Sequence, residues 1–250
     1  MDAVGIYGLA LKFGLLLKEL IVEPFQRSFG AFRFSVMKQE NAREIQARTL
    51  NYLVFVTSWA GLGISVLSED IVRWLATPEY HAAASYIPLV VLANIVMSCG
   101  YVFQTGILYQ KRTITLFYVG LISGIAGVCI SIGLIFLWGV FGVCLGLVLQ
   151  YLINVVLTNM FSQKLYKVDY SYSHAFMAVA LSCIIYLVCL LLPIKSELIM
   201  LAAKGGLLVL YPYILVSFNF FTADEKAIVF SYAKKLRIFK DRKSENTLSS

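Results

Sequence analysis

Four charged side chains lie inside the first long apolar segment of the sequence: Lys12, Glu19, Glu23 and Arg27. At about 100° of rotation per residue of an α-helix, the other three fall within about 60° of Lys12, so all four share one face. A charge at mid-membrane costs at least about 2.5–3.5 kcal/mol, so this face must border a bundle interior or a water-filled cavity. An ion-pair network between helices and the lining of a polar transport path both fit. Intramembrane charges usually mark pathways, and Pro24 favours a broken helix of the kind that lines transporter cavities.

Residues that could perform catalysis or hold a metal are few and scattered. His81 and His174 stand alone near predicted membrane ends, without metal-ligand spacing. No hydrolase nucleophile motif, zinc-protease motif or phosphate-binding loop occurs. The cysteines fit neither a metal motif nor a secreted disulfide framework, and we interpret them as small buried apolar residues. They are Cys99, Cys129, Cys144, Cys183 and Cys189. We therefore predict no enzyme, no cofactor and no metal.

The composition is that of an integral membrane protein. Of the 250 residues, 60% are hydrophobic and only 14% are charged, whereas soluble domains carry about 25% charged residues. The net charge of +7 could suggest nucleic acid. The basic residues lie mainly in loops and the tail, where the positive-inside rule places them, so we exclude nucleic acid as a partner.

Seven apolar runs are long enough to span a membrane, which takes about 20 residues. They are continuous and lack the alternation of barrel strands, which predicts an all-α bundle. The spans are predicted over residues 3–29, 50–67, 85–108, 114–137, 140–161, 174–192 and 198–221.

The distribution of basic residues predicts the orientation of the bundle. If the first span runs from outside to inside, most of the 21 Lys and Arg residues fall in inner loops and the tail. The positive-inside rule then places the amino terminus outside and the carboxyl terminus in the cytoplasm. The first residues lack a basic region and a cleavage site, so no signal peptide is predicted.

Three segments outside the spans have patterns of their own. Residues 38–48 are polar, with Glu44 four residues before Arg48, which predicts a short cytoplasmic helix extension. Residues 222–240 carry apolar residues on one helical face and lysines elsewhere, which predicts a basic amphipathic helix on the inner membrane surface. Residues 241–250 are predicted to be a disordered tail.

Small residues recur in the fourth and fifth spans. Gly120 and Gly124 form one GxxxG pair, and Gly142 and Gly146 form another. Such spacing lets helix backbones approach closely. Because a very short turn joins the two spans, we predict tight packing within the chain and not a dimer face.

Several stretches together resemble a known family of transporters. The chain is similar, over nearly its whole length, to the later half of the oligosaccharide (O-antigen and polysaccharide) flippases of the multidrug/oligosaccharidyl-lipid/polysaccharide exporter superfamily. The order and spacing of the stretches carry the resemblance. They are VGIYGLALKF, PFQRSFGAFRF, TPEYHAAASYIPLVVLANI, GILYQKRT and SQKLYKVDYSYS.

The resemblance implies movement of an undecaprenyl-pyrophosphate-linked oligosaccharide from the cytoplasmic to the periplasmic leaflet of the bacterial inner membrane, for surface polysaccharide biosynthesis. It implies a two-lobe, MATE-like fold with a cationic central cavity and alternating access. Lys12 and Arg27 then become candidates for the anionic headgroup. Glu19 and Glu23 become candidates for coupling to a cation or for holding those bases.

The chain departs from the family in length, since members are roughly twice as long and have two helix bundles. We expect a carboxyl-terminal portion, the later lobe: a truncated gene product, a mis-called start or one half of a split protein. In the last case the other lobe is a partner supplied in trans, and the polysaccharide assembly machinery is a further expected partner. Three alternatives stay open: a cation-coupled multidrug exporter of the same superfamily, a seven-span receptor or retinal protein, and a non-transporting remnant.

Overall fold

The computed structural model describes residues 3–37, 39–191, 197–218 and 220. Every regular element in these ranges is helical. The predicted helix over 222–240 and the predicted tail over 241–250 lie outside the described residues. The chain divides into two compact units, residues 1–208 and 209–250, and every contact and cavity discussed below lies within the first.

Seven α-helices follow one another along the described chain, with two elements of other helical type between them. A π-helical turn, Lys18–Val22, separates the first two helices, and a 3-10 helix, Pro78–Ser85, precedes the fourth. The α-helices are α1 (Ala3–Leu17), α2 (Glu23–Val36), α3 (Ala42–Leu75), α4 (Ile87–Tyr109), α5 (Ile114–Leu165), α6 (Tyr172–Leu191) and α7 (Glu197–Ser217).

Five helices within the described ranges are long and apolar enough to cross a membrane. They are α3, α4, α5, α6 and the Ile199–Ser217 part of α7. The prediction of an all-helical chain is therefore confirmed for the described residues. The five candidate spans are compatible with a membrane protein, and the count of seven spans stays a prediction. The first predicted span, 3–29, is not among the five because the π-helical turn divides it between α1 and α2, of 15 and 14 residues.

The long helix α5 folds back on itself at Gly139, whose φ of 58° and ψ of −135° are open to glycine. Its two arms, 114–138 and 140–165, occupy the predicted fourth and fifth spans. Side chains of one arm meet backbone or small residues of the other at four levels. The facing pairs are Ser123 with Asn154, Gly127 with Gln150, Ser131 with Gly146, and Leu134 with Gly142.

The arms use only one of the two predicted glycine pairs. A side chain at Gly142 or Gly146 would collide with the opposite arm, as tight packing within the chain requires. Gly120 and Gly124 have nothing within 4 Å of their Cβ positions in the described part of the chain. The prediction of tight packing is wrong for them, because the seam of the first arm follows Ser123 and the residues after it instead.

The core lies around α4, which packs against α1, α3 and α5. Val90 and Val91 of α4 are fully buried against Ala10 and Leu17 of α1. Gly14 permits this approach, since a methyl group there would lie 2.6 Å from the Val90 Cγ1 atom. The first helix is therefore fixed on α4, and the described residues leave its opposite face exposed.

The interpretation of the cysteines as buried apolar residues holds for some of them. Cys144 and Cys189 are buried, and Cys99 and Cys183 are partly buried. Cys129 is exposed on the first arm of α5, so the interpretation is wrong there. All five are free thiols.

Candidate functional site around a π-helical turn

The charged stretch of the first segment contains a local change of helix type. The backbone N–H of Glu23 donates to the carbonyl oxygen of Lys18, five residues earlier, in place of the usual four. Pro24 follows in the first turn of α2, and it has no N–H to donate while its ring would crowd the carbonyl four residues before it. A π-helical turn relieves both problems, and such turns occur frequently at functional sites.

The extra residue of the turn rotates all of α2 by about 100° relative to a continuous α-helix. This rotation brings two buried faces into one line along α4. Without it, the buried residues of α2 would point about 100° away from those of α1. The residues of this line are Ala10, Phe13 and Leu17 before the turn and Val22, Phe29 and Val36 after it.

Two of the four predicted site residues lie on the uncovered side of α1 and the turn. Lys12 and Glu19 are exposed and point away from the buried line through Leu17. Neither makes an ion pair with another described residue. The structure therefore does not join them to the other predicted site residues.

The other two predicted residues meet, together with one that the sequence analysis left out. The Glu23 Oε2 atom lies 3.5 Å from Arg27 Nη2, and its Oε1 atom lies 3.9 Å from Lys18 Nζ. A regular α-helix would turn Lys18 away from this cluster, whereas the π-helical turn makes residues five apart neighbours. A carboxylate thus sits between two cations, and the cluster keeps a net positive charge.

The charged helix faces a polar strip on α4. Asn94, Tyr101 and Gln104 fall on one side of α4 at the spacing of whole helical turns. Asn94 and Gln104 are single uncharged polar residues in an apolar span, so the sequence alone does not mark them as a wall opposite the charged helix. In the structure they line the same small cavities as the charged helix. Gln150 and Asn154, by contrast, are used inside the α5 hairpin.

Two cavities lie along this strip and share Tyr101. The first, of about 200 Å³, is lined by Lys18, Val22, Asn94, Met97, Tyr101 and Tyr151. The second, of about 290 Å³, is lined by Gln26, Arg27, Phe29, Arg33, Tyr101 and Gln104. Arg33 lies beyond the predicted first span, and its burial lowers the pKa of its guanidinium, which stays charged because arginine titrates far above neutral pH.

A second ion pair joins the C-terminal part of α3 to α7. Lys204 Nζ donates to Asp70 Oδ2 at 2.6 Å and is almost fully buried. The Trp59 Nε1–H donates to the Leu208 carbonyl at 2.9 Å. These two contacts join α3 to the first part of α7.

The lone histidines take structural contacts. His81 Nε2 lies 3.3 Å from the Ala76 carbonyl oxygen, and His174 Nδ1 contacts the Ser171 hydroxyl. Within the described ranges, no group of three or more His, Cys, Asp or Glu side chains could hold a metal ion.

Comparison of the chain with protein-family models, curated proteins and solved structures finds no match.

Proposed function

We propose that this chain forms one wall of a polar path along which a pyrophosphate-linked oligosaccharide on a polyprenyl lipid crosses the membrane, as in the polysaccharide flippases that the sequence resembles. The observation that carries the proposal is the charged π-helical turn beside a polar strip of α4. Intramembrane charges are costly against lipid and usually mark pathways, and broken helices are a recurrent feature of transporter cavities.

The proposed roles follow from the ion pairs. Lys18 and Arg27 supply the positive charge for the pyrophosphate, and Glu23 occupies both of them until the substrate arrives. Because Glu23 lies 3.5 Å or more from each cation, the ion pairs are weak. Replacing the Glu23 carboxylate by the phosphate groups of the substrate therefore costs little free energy. Asn94 and Gln104 supply the hydrogen bonds that sugar hydroxyls require.

The uncovered charges support a two-lobe arrangement. Lys12 is exposed on α1, which is otherwise apolar, and Glu19 is exposed in the π-helical turn. Charged residues within such a segment face protein or water and not lipid. We propose that this chain is the later, seven-span lobe of a MATE-like fold. In this proposal the chain spans a bacterial inner membrane, with its amino terminus outside and its carboxyl terminus in the cytoplasm. The earlier lobe and the polysaccharide assembly machinery are then its partners.

The test is binding of the lipid-linked oligosaccharide to the purified chain in nanodiscs, followed by native mass spectrometry. The chain should retain the pyrophosphate-linked glycan lipid in preference to the neutral polyprenol. The double variant Lys18→Gln/Arg27→Gln should lose the preference, whereas Arg43→Gln/Arg48→Gln, with the same change in net charge, should keep it. Equal retention of the charged and the neutral lipid by the wild-type chain would sink the proposal.

Flipping itself requires a second measurement. We expect the chain alone in proteoliposomes to leave a fluorescent glycan lipid in its original leaflet, and we expect movement when the other lobe is supplied. Movement by the chain alone would contradict the two-lobe arrangement while leaving the substrate class intact. Binding of the glycan lipid without movement in either case would favour a non-transporting remnant.

One observation favours a cation-coupled drug exporter as the second candidate. Glu19 is an exposed carboxylate in the turn with no basic partner among the described residues, so it is available to a proton or sodium ion. In that case Glu19→Gln should abolish drug resistance in cells, whereas Glu79→Gln on the 3-10 helix should preserve it. Unchanged resistance in Glu19→Gln would exclude this candidate.

A further inference from the structure

Two adjoining cavities lie between α3, α4 and α6 and share no lining residue with the cavities of the polar strip. The larger, which we call the apolar chamber, measures about 430 Å³ and is lined mostly by apolar side chains, such as Leu62, Leu89 and Leu187. The smaller, the polar chamber, measures about 350 Å³ and is lined by charged residues that include Glu69 and Lys204. Each has the size of a ligand site, which is typically about 300–1,000 Å³.

The polarity of the two chambers rises along α3. Gly61 and Leu62 line only the apolar chamber, Ser65 lines both, and Glu69 and Arg73 line only the polar one. The change takes about three helical turns and ends at the carboxyl-terminal end of α3. A lipid in one leaflet of a membrane has the same order, with its tail at the centre and its head at the surface. The chambers therefore match a single amphiphilic molecule.

Three hydroxyl groups lie at the junction of the two chambers. They belong to Ser65, Ser85 and Tyr186, each of which lines both chambers. None of the three hydroxyls makes a hydrogen bond to another described residue. Ser65 is only 8% exposed, yet its hydroxyl oxygen and that of Tyr186 keep accessible surface. A hydroxyl both donates and accepts, so the junction can hydrogen-bond an ester or hydroxyl of a ligand.

The charges of the polar chamber are already paired within the protein. Glu69 Oε1 lies 2.6 Å from Arg73 Nη2, and Asp70 Oδ2 lies 2.6 Å from Lys204 Nζ, which is almost fully buried. Removing one partner from a buried ion pair is strongly unfavourable, because the other charge stays buried and unpaired. A ligand head with a net charge would have to compete with these pairs. The chamber therefore favours a head that is polar and uncharged.

We propose that the two chambers together bind one molecule of a single-chain glycerolipid with an uncharged head. Its acyl chain fills the apolar chamber, its ester group meets the three junction hydroxyls, and its free glycerol hydroxyls lie in the polar chamber. The drug-sized volume of the apolar chamber favours one acyl chain over two. The site uses no residue of the charged turn, and it does not depend on whether the chain transports a glycan.

The experiment uses the full chain in phosphatidylcholine nanodiscs that contain equal amounts of 1-oleoylglycerol and oleate. Native mass spectrometry counts the molecules of each lipid that the chain retains, and we expect one 1-oleoylglycerol in preference to the other two lipids. The double variant Ser65→Ala/Tyr186→Phe should lower this retention by about tenfold or more, because two hydrogen bonds to the ligand are lost. The control Ser58→Ala/Tyr118→Phe removes the same atoms outside both chambers.

A second pair of variants tests the position of the acyl chain without disturbing the core. Leu187 and Ile184 lie on α6 and are 56% and 55% exposed, but only Leu187 lines the apolar chamber. Leu187→Trp places a large ring at the chamber and should abolish retention of 1-oleoylglycerol. Ile184→Trp should preserve it. Because both positions are exposed, neither substitution requires the core to repack.

The outcomes separate the parts of the proposal. Loss of 1-oleoylglycerol in the double variant and in Leu187→Trp, with retention in both controls, supports the site. Preferential retention of oleate by the wild-type chain would overturn the uncharged head, and preferential retention of phosphatidylcholine would overturn the single chain. The site itself is overturned if either test variant retains as much 1-oleoylglycerol as the wild type, or if a control loses as much as its test variant.

Discussion

Deleting one residue from the π-helical turn should be tolerated, whereas deleting one from α1 should not. The comparison uses Leu20 and Leu16, two leucines whose side chains are 71% and 44% exposed. It is made in a Pro24→Ala background, because proline in a continuous α-helix costs about 3 kcal/mol or more. Removing Leu20 converts the turn to α-helix and leaves the buried faces of α1 and α2 in register.

The cost of the control deletion follows from which residues move. Without Leu16, every later residue advances by one position, which is about 100° and 1.5 Å. Lys18 then takes the place of Leu17, which is 0% exposed, and Glu23 that of Val22, which is 2% exposed. Burying an ion costs several kcal/mol, so two of them cost on the order of 5 kcal/mol or more. Deletion of Leu20 should change the stability by less than about 1 kcal/mol.

The assay is thermal loss of the monodisperse peak in size-exclusion chromatography of a fluorescent fusion in mild detergent. A difference of about 5 kcal/mol corresponds to a midpoint lowered by about 10 °C or more in a chain of this size. The Leu16 deletion should show this loss, and the Leu20 deletion should match its Pro24→Ala parent. If both deletions lower the midpoint equally, the turn does not set the register between α1 and α2.

Three further predictions test the packing of the bundle. Gly14→Ala puts a methyl group 2.6 Å from a side chain of α4. It should lower the unfolding midpoint through about 1–3 kcal/mol of overpacking. The control Gly8→Ala has nothing within 4 Å of the new methyl group and should leave the midpoint equal or higher. Gly139→Ala should cost about 1–3 kcal/mol in the same assay, because φ is 58° there; an unchanged midpoint would contradict the hairpin turn. Lys204→Met and Asp70→Asn should each destabilise by about 1.5–3 kcal/mol, and their double variant by less than the sum in a double-mutant cycle; additive losses would mean that the 2.6 Å contact contributes no coupling.

Much of the local structure could be predicted from the sequence because it depends on near neighbours. Pro88 lies in the first turn of α4, as its fixed φ favours. Arg48 Nη2 lies 2.7 Å from Glu44 Oε1, which confirms the pair expected four residues apart. The short turn between the fourth and fifth spans is also present, at Gly139.

The parts that could not be predicted depend on a change of helix period or on tertiary contacts. On a helix with a constant 100° step, Lys18 and Glu23 would point about 140° apart. Only the extra residue of the π-helical turn brings them together. The role of Asn94 as part of the opposing wall depends on how α1 docks on α4, which no local pattern encodes. The choice of seam in α5 likewise depends on which ridge of one arm meets the other, and the Gly120 spacing alone does not determine it.

The α5 hairpin also constrains how the bundle can move. Its arms interlock at four levels, from Ser123 with Asn154 near the open end to Leu134 with Gly142 beside the bend at Gly139. Sliding one arm past the other would break all four contacts at once, whereas swinging both together would break none of them. The two arms should therefore move together as one rigid unit, and α4, whose Gly106 lies close to Ser162 of the second arm, must either move with them or part from them.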